Sequence, residues 1–183
     1  MMSRKIVYLM RGLPSCGKSH TAREIAGNTG LVCETDEYFY TQVGDDPQRF
    51  DYREELKETA HKWNLERFKR AVDDGVSPVV VDRANGLSLD TQVYARYAVD
   101  HGYDVELKEP ESEWWQEIRV LLKYKDITQP ILHEWADRLV EKSQQTHRVP
   151  VSLIRHWMDH WKHDLTVGQI LRYRPCRVGM DRQ

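Results

Sequence analysis

The stretch Gly12-Leu-Pro-Ser-Cys-Gly-Lys-Ser19 constrains this chain more than any other. It has the G-x-x-x-x-G-K-[ST] spacing of a phosphate-binding loop, a motif that requires a strand before it and a helix after it. Both are legible. Lys5–Met10 is a short apolar run that reads as a buried strand, and Ser19–Ala26 puts Ala22, Ile25 and Ala26 on one helical face. Gly12 and Gly17 let the main chain come close to an anion, so successive N–H groups can point at phosphate oxygens. The helix N-terminus adds its partial positive charge. Lys18 can then reach the β- and γ-phosphates of a nucleoside triphosphate, ATP or GTP, and the Ser19 hydroxyl can ligate Mg2+. Pro14, Ser15 and Cys16 within the loop, and His20 behind it, complete the expected nucleotide-binding set; Cys16 serves through its backbone rather than its thiol.

Past the first helix, Asn28-Thr29-Gly30 is a stop signal and Leu31–Glu34 a second strand. Asp36 lies just beyond it. In an open parallel sheet that position faces the ligand crevice, although Asp36 can equally cap a helix starting at Glu37. Thr41–Arg49 is polar and turn-rich, and Asp51–Asp74 has the spacing of a long helix with Leu56, Ala60, Trp63, Leu65, Phe68 and Val72 inward. On that reading Trp63 is a core residue rather than a base-stacking platform. Pro78–Asp82 is an unbroken β-branched run ending in a carboxylate, the pattern of a strand buried on both faces. Asp82 would hold magnesium through water, and Asn85 either donates to substrate or orders its own loop. Tyr38 and Arg83 accompany Asp36, Asp82 and Asn85 on the same loops and join the expected acceptor side. Leu87–His101 reads as a helix and Tyr103–Lys108 as a fourth strand.

The last third is helical and basic. A helix from Glu113 to Lys125, a break at Pro130 and a second helix from Ile131 to Gln144 are expected. Arg119, Lys123, Lys125, Arg138 and Lys142 on these segments suit either a lid over the phosphates or a solvated face. Pro150–Trp161 opens with proline and is amphipathic, with Leu153, Ile154, Trp157 and Trp161 as its apolar stripe. Arg172–Gln183 reads as a flexible tail.

Composition narrows the function classes. With 183 residues and 40% apolar content, one substantial core is expected. A net charge of −2 from 27 basic and 29 acidic residues provides no global field for nucleic acid, so any such site is local. Three scattered cysteines suit a reducing compartment, and no segment has the length of a membrane span, so a cytoplasmic protein is expected. The alternation of helices and short strands predicts an α/β three-layer fold with a mostly parallel sheet: one domain over residues 1–171, with a helical lid over about 116–148.

Together, MRGLPSCGKS, ETDEYFY, KETAHKWNLERFKRAV, VVVDRAN, HGYDVELKEP and HRVP make the chain resemble the P-loop kinases around the polynucleotide 5′-hydroxyl kinases, a group with AAA-type ATP binding and zeta-toxin-like relatives. The match covers about Arg4 to Trp115 and resumes near His147. The resemblance implies ATP and magnesium at Lys18 and Ser19, Asp36 as general base, a lid arginine clamping the transferred phosphate, and a nucleic acid with a 5′-hydroxyl end as partner. Three departures stand out: Gln144 occupies the lid-arginine position, Arg148 replaces a glycine, and the family's D-N-T-N reads Asp82-Arg-Ala-Asn85. The clamp is therefore expected at Arg148, Lys142 or Arg138, or is absent. A phosphotransferase is the leading expectation. A small-molecule or sugar-nucleotide kinase and an ATP-hydrolysing switch are the alternatives.

Overall fold

The computed structural model describes residues 3–144 and 149–176. Four strands, β1 (Ile6–Met10), β2 (Leu31–Glu34), β3 (Val79–Asp82) and β4 (Asp104–Lys108), form one sheet in the order β2-β3-β1-β4, and every pairing is parallel. Parallel neighbours need crossovers, and the chain supplies helices for them: α1 (Lys18–Ala26), α2 (Glu37–Thr41), α3 (Lys57–Asp73) and α4 (Leu89–Asp100). Four more follow the last strand: α5 (Glu113–Lys123), α6 (Lys125–Ser143), α7 (Val151–Asp159) and α8 (Val167–Arg172).

Alternation along the strands assigns the layers. Val7, Leu9, Val79 and Val81 face one way, onto Phe68, Tyr94, Ala95 and Ile170 of α3, α4 and α8. Met10 and Val80 face the other, onto Ala22 and Ala26 of α1. All of β3 is buried, as its unbroken valine run predicts. This is the three-layer α/β architecture expected. A second core lies at one end, where Leu13 and Cys16 of the glycine loop pack with Trp115, Ile118, Leu132, Leu139 and Ile154 of α5, α6 and α7.

The elements depart from expectation in five places. The helix expected from Asp51 begins with a 3-10 turn at Glu54–Leu56 and becomes α-helical at Lys57. Its buried face carries Asn64 in place of Trp63, because the Asn64 amide donates to the Tyr94 hydroxyl at 3.2 Å, while Trp63 sits half-buried beside Tyr38. The break expected at Pro130 falls at Tyr124 (φ −113°, ψ 32°), and Pro130 lies within α6. Proline's fixed φ is helical, and as the sixth residue of α6, on the exposed side, Pro130 removes the hydrogen bond of one N–H without ending the helix. In α7 the inward residues are Ile154 and Met158, whereas Leu153 is 38% exposed. Finally, α8 closes the chain with a Thr166–Gln169 capping box, and the Gln92 amide donates to the Ile170 and Tyr173 carbonyls at 2.9 and 2.8 Å. Arg172, the first residue of the expected tail, thus ends α8, and residues 177–183 lie outside the described residues.

Candidate active site

The glycine loop links β1 to α1 at the C-terminal edge of the sheet. Gly12 has φ 151° and Gly17 φ 92°; a Cβ on Gly12 would lie 3.0 Å from the Pro110 ring. Both positions therefore need glycine. Ser15 also takes a left-handed conformation (φ 58°), a strained choice for a side-chain-bearing residue. The loop is braced from α5. Trp114 Nε1 donates to the Ser15 carbonyl at 3.0 Å, and the Ser112 hydroxyl donates to the Cys16 carbonyl at 2.8 Å while capping α5. Burial pushes the Cys16 thiol up to about 12, so it stays neutral and inert. Lys18 Nζ donates to the Leu13 carbonyl at 2.8 Å. Burial lowers the pKa of its ammonium, while the carboxylates Asp82, Asp36 and Glu34 pull it the other way. Ser19 stands in the first turn of α1. The His20 imidazole is 74% exposed and 3.4 Å from Glu24.

Three carboxylates converge on this edge. Glu34 ends β2 and Asp82 ends β3, and the two are register partners. Asp36 follows at the start of α2, with helical backbone angles (φ −66°, ψ −22°) and no side-chain capping bond to that helix. Side-chain capping needs an extended backbone at this position, so the capping role is not realised. Glu34 was not singled out from the sequence. Its signal was its place as the last strand residue opposite Asp82. Burial first, then Asp82 and Asp36, raise its carboxyl to about 7.

The donors fit a magnesium ion. Asp82 is buried, and its Oδ2 has no hydrogen-bond partner among the described residues, an orphaned hard oxygen of the kind Mg2+ or its waters occupy. No cluster of three or more His, Cys, Asp or Glu side chains forms a metal cage among the described residues. Magnesium commonly does without one, using one or two carboxylates plus substrate phosphates and water.

Beside the carboxylates opens a cleft of about 990 Å³. Asp36, Asp82 and Arg83 line it, together with Phe50, Tyr52 and, from α7, Leu153 and Trp157. Arg83 stacks over the Tyr94 ring at 5.5 Å. Asn85 has the loop-ordering role. It is 2% exposed, and its amide donates to the carbonyls of Met10, Val81 and Arg83 at 2.7, 3.0 and 3.2 Å, so it ties β1 to the loop after β3 instead of reaching substrate. Tyr38 packs against Phe39 and Trp63, each with ring centroids 5.6 Å away, outside the cleft lining.

A family model described as an AAA domain matches residues 7–119. The chain belongs to the AAA domain family. Among curated proteins it is similar to NEDD4-binding protein 2 of Homo sapiens, 30% identical over 152 residues covering 80% of this chain and 8% of that protein. It is also similar to YLP motif-containing protein 1 of Homo sapiens, 29% identical over 130 residues, 60% of this chain and 6% of that one. The chain thus spans less than a tenth of either relative's length. Among solved structures, a chain of the Pnkp1/Rnl/Hen1 RNA repair complex aligns with a TM-score of 0.54 at 19% identity, over 94% of this chain and 46% of its own. A kinase candidate from Chloroflexus aurantiacus gives 0.53 at 15% identity, over 84% of this chain and 76% of its own. These likenesses establish the kinase-like P-loop fold.

In this AAA domain, among the described residues, the basic side chains of the last third do not gather at the loop. Lys142 Nζ lies 4.4 Å from the centroid of Trp114, the residue that braces Ser15. The others are engaged elsewhere. Arg138 stacks on Trp135, Arg119 pairs with Glu109 at 3.5 Å, Lys123 lies over Tyr124, and Lys125 donates to the Asp159 and Trp161 carbonyls. Gln144 sits at the end of α6, and Arg148 lies outside the described residues. No helix among the described residues is long and apolar enough to cross a membrane.

Proposed function

We propose that this AAA domain transfers the γ-phosphate of ATP to a hydroxyl, and that the preferred acceptor is the 5′-hydroxyl end of a nucleic acid. The observation that carries the proposal is the convergence of Lys18 with Glu34, Asp36 and Asp82, three carboxylates that line a cleft also lined by Phe50, Tyr52 and Trp157. Ser19 and Asp82 would hold magnesium, which supplies charge neutralisation on the β- and γ-phosphate oxygens. Lys18 leaves the Leu13 carbonyl for the phosphates. Asp36, in the cleft lining, orients the acceptor hydroxyl and takes its proton as the acceptor oxygen bonds to Pγ and the bond from Pγ to the β–γ bridging oxygen breaks, releasing ADP. The sequence resemblance to polynucleotide 5′-hydroxyl kinases supports the acceptor class.

Gln144 favours a second reading. An arginine clamp is worth about 10³- to 10⁵-fold in rate, and a chain lacking one suits an ATP-hydrolysing switch whose acceptor is water. Incubation with γ-labelled ATP, magnesium and a panel of 5′-hydroxyl oligonucleotides, nucleosides and sugar nucleotides separates the readings. Label on an oligonucleotide supports the kinase, and label on a small acceptor redirects the substrate class. ADP release with label only in inorganic phosphate supports the switch. Lys18→Ala should abolish each of these; unchanged turnover in that variant overturns the nucleotide site itself.

A further inference from the structure

Helix α3, which lends Lys57 and His61 to the cleft lining, carries one side chain that core packing does not explain. Ala60, Asn64 and Phe68 follow one another at four-residue spacing along its buried stripe, and Asn64 is 0% exposed between two apolar neighbours. Its amide donates to the Tyr94 hydroxyl at 3.2 Å and, more weakly, to the Thr35 hydroxyl at 3.4 Å. Its Oδ1 has no hydrogen-bond partner among the described residues. A buried polar atom left unpaired costs stability that an aliphatic side chain of similar size would not. For the core alone, Asn64 is a poor choice.

Both of the hydroxyls it meets belong to supports of the site. Thr35 links Glu34, the last residue of β2, to Asp36, and all three line the cleft. Tyr94 of α4 is 1% exposed; its ring packs edge-on against Phe68, with centroids 4.9 Å apart, and holds the Arg83 guanidinium 5.5 Å from its centroid. Burial raises the pKa of the Tyr94 hydroxyl, while Arg83 and the Asn64 amide, each a donor towards its oxygen, pull it the other way. Arg83 lines the cleft, and neither Asn64 nor Tyr94 does. One buried amide thus joins the support of Arg83 to the residue that precedes Asp36.

We infer that Asn64, acting through Tyr94 and Thr35, is a positioning residue for phosphate transfer, which fixes the Arg83 guanidinium and the Asp36 carboxylate relative to each other. A guanidinium suits the phosphodiester of the acceptor, and Asp36 orients the acceptor hydroxyl. The two must be set together for that hydroxyl to meet Pγ in line. This rests on the transfer reaction proposed above and adds a residue that touches neither nucleotide nor acceptor. The glycine loop does not depend on the same joint, because Ser112 and Trp114 brace it from α5. Loss of the Asn64 joint should therefore spare the nucleotide and misplace the acceptor.

The test uses the full chain with magnesium, γ-labelled ATP and a 5′-hydroxyl oligonucleotide, and reads label on the oligonucleotide beside label in inorganic phosphate, the KM for ATP and the urea midpoint. Tyr94→Phe keeps the ring under Arg83 and removes the hydroxyl. Asn64→Leu combined with Tyr94→Phe removes donor and acceptor together, an exchange that leaves stability close to the parent's. In both proteins transfer should fall about 10- to 100-fold, the scale of a misplacement of about 1 Å. The KM for ATP and the slow release of inorganic phosphate should stay within about twofold, so the ratio of transfer to hydrolysis drops. Thr35→Val should shift that ratio in the same direction. A ratio that holds within about twofold in Tyr94→Phe overturns the inference, and so does a fall of transfer and hydrolysis in parallel with the urea midpoint, which is the mark of a structural role. If the double variant does not fold, Tyr94→Phe and Thr35→Val each delete a single group and carry the same measurement. Transfer by the parent with an unaltered ratio in the variants sinks this inference alone. If the parent labels no oligonucleotide, the nucleic-acid acceptor fails and the inference with it.

Discussion

Glu34 and Asp82 stand opposite each other across the β2–β3 ladder, each the last residue of its strand. Two carboxylates brought together by register, with Asp36 close by, cannot all ionise cheaply without a cation, and Glu34 yields, its carboxyl rising to about 7. The sign of the consequence follows. Its folded value lies above the unfolded 4.5, so Glu34 contributes stability at low pH that is lost as pH rises towards 7. In EDTA the parent should lose thermal stability between about pH 4.5 and 7, and Glu34→Gln should flatten that decline and be the more stable of the two above pH 7. Identical melting-temperature profiles for the two proteins would show that Glu34 is not strained by its neighbours.

On the proposed function Asp36 serves transfer and not nucleotide retention; it lines the cleft and makes no capping bond to α2. Asp36→Asn keeps the shape and removes the base. ATP affinity should hold within a few-fold while transfer to the acceptor falls about 10²- to 10⁴-fold. Isothermal titration for the nucleotide and single-turnover transfer for the chemistry separate the two effects. Near-parental transfer would move the search for the base to Glu34.

On the proposed function Lys142 is the clamp candidate among the described basic residues of the last third, because it lies over Trp114, whose indole holds the Ser15 carbonyl. Arg138 is committed to Trp135. Lys142→Ala should therefore lower kcat at least tenfold with little change in the KM for ATP, whereas Arg138→Ala should stay within about twofold of the parent. Equal effects of the two substitutions would count against Lys142 as the clamp.

Much of this was legible because the signals were local. The glycine loop, all four strands and their parallel arrangement came from spacing, β-branched runs and the turn residues between them. The rest depends on contacts between distant segments. Glu34 is an ordinary strand residue until register sets it beside Asp82. Asn85 can donate to substrate or order its loop until its amide is found spent on the Met10, Val81 and Arg83 carbonyls. Phe50 and Tyr52 sit where a polar loop meets an expected helix, and the late onset of α3 leaves them outside it, each with its ring beside Phe39. Pro130 misled for a different reason: proline forbids one hydrogen bond, and the helix around it was held by Leu132, Trp135, Ala136 and Leu139 in the second core.

Arg11, immediately before the glycine loop, carries the last prediction. It is 3% exposed, and its guanidinium donates from Nε to the Asn85 carbonyl at 3.0 Å and from Nη2 to the Lys162 carbonyl at 3.1 Å. The same group lies 4.1 Å from the centroid of Trp161, whose ring meets Trp115 edge-on at 5.2 Å. One side chain thus fastens the start of the phosphate loop to the loop after β3 and to the segment after α7, the helix that supplies Trp157 to the cleft. A buried charge is tolerated only when its donors are used, and lysine has neither the fork nor the plane to meet two carbonyls and a ring together. Arg11→Lys should cost about 2–4 kcal/mol in urea unfolding, the loss of one or two charge-assisted hydrogen bonds plus the stack, and should raise the KM for ATP and for acceptor together because the glycine loop and the helix that lines the cleft lose a common anchor. A variant with an unchanged urea midpoint and unchanged KM values would mean that the loop is held by Trp114 and Ser112 alone.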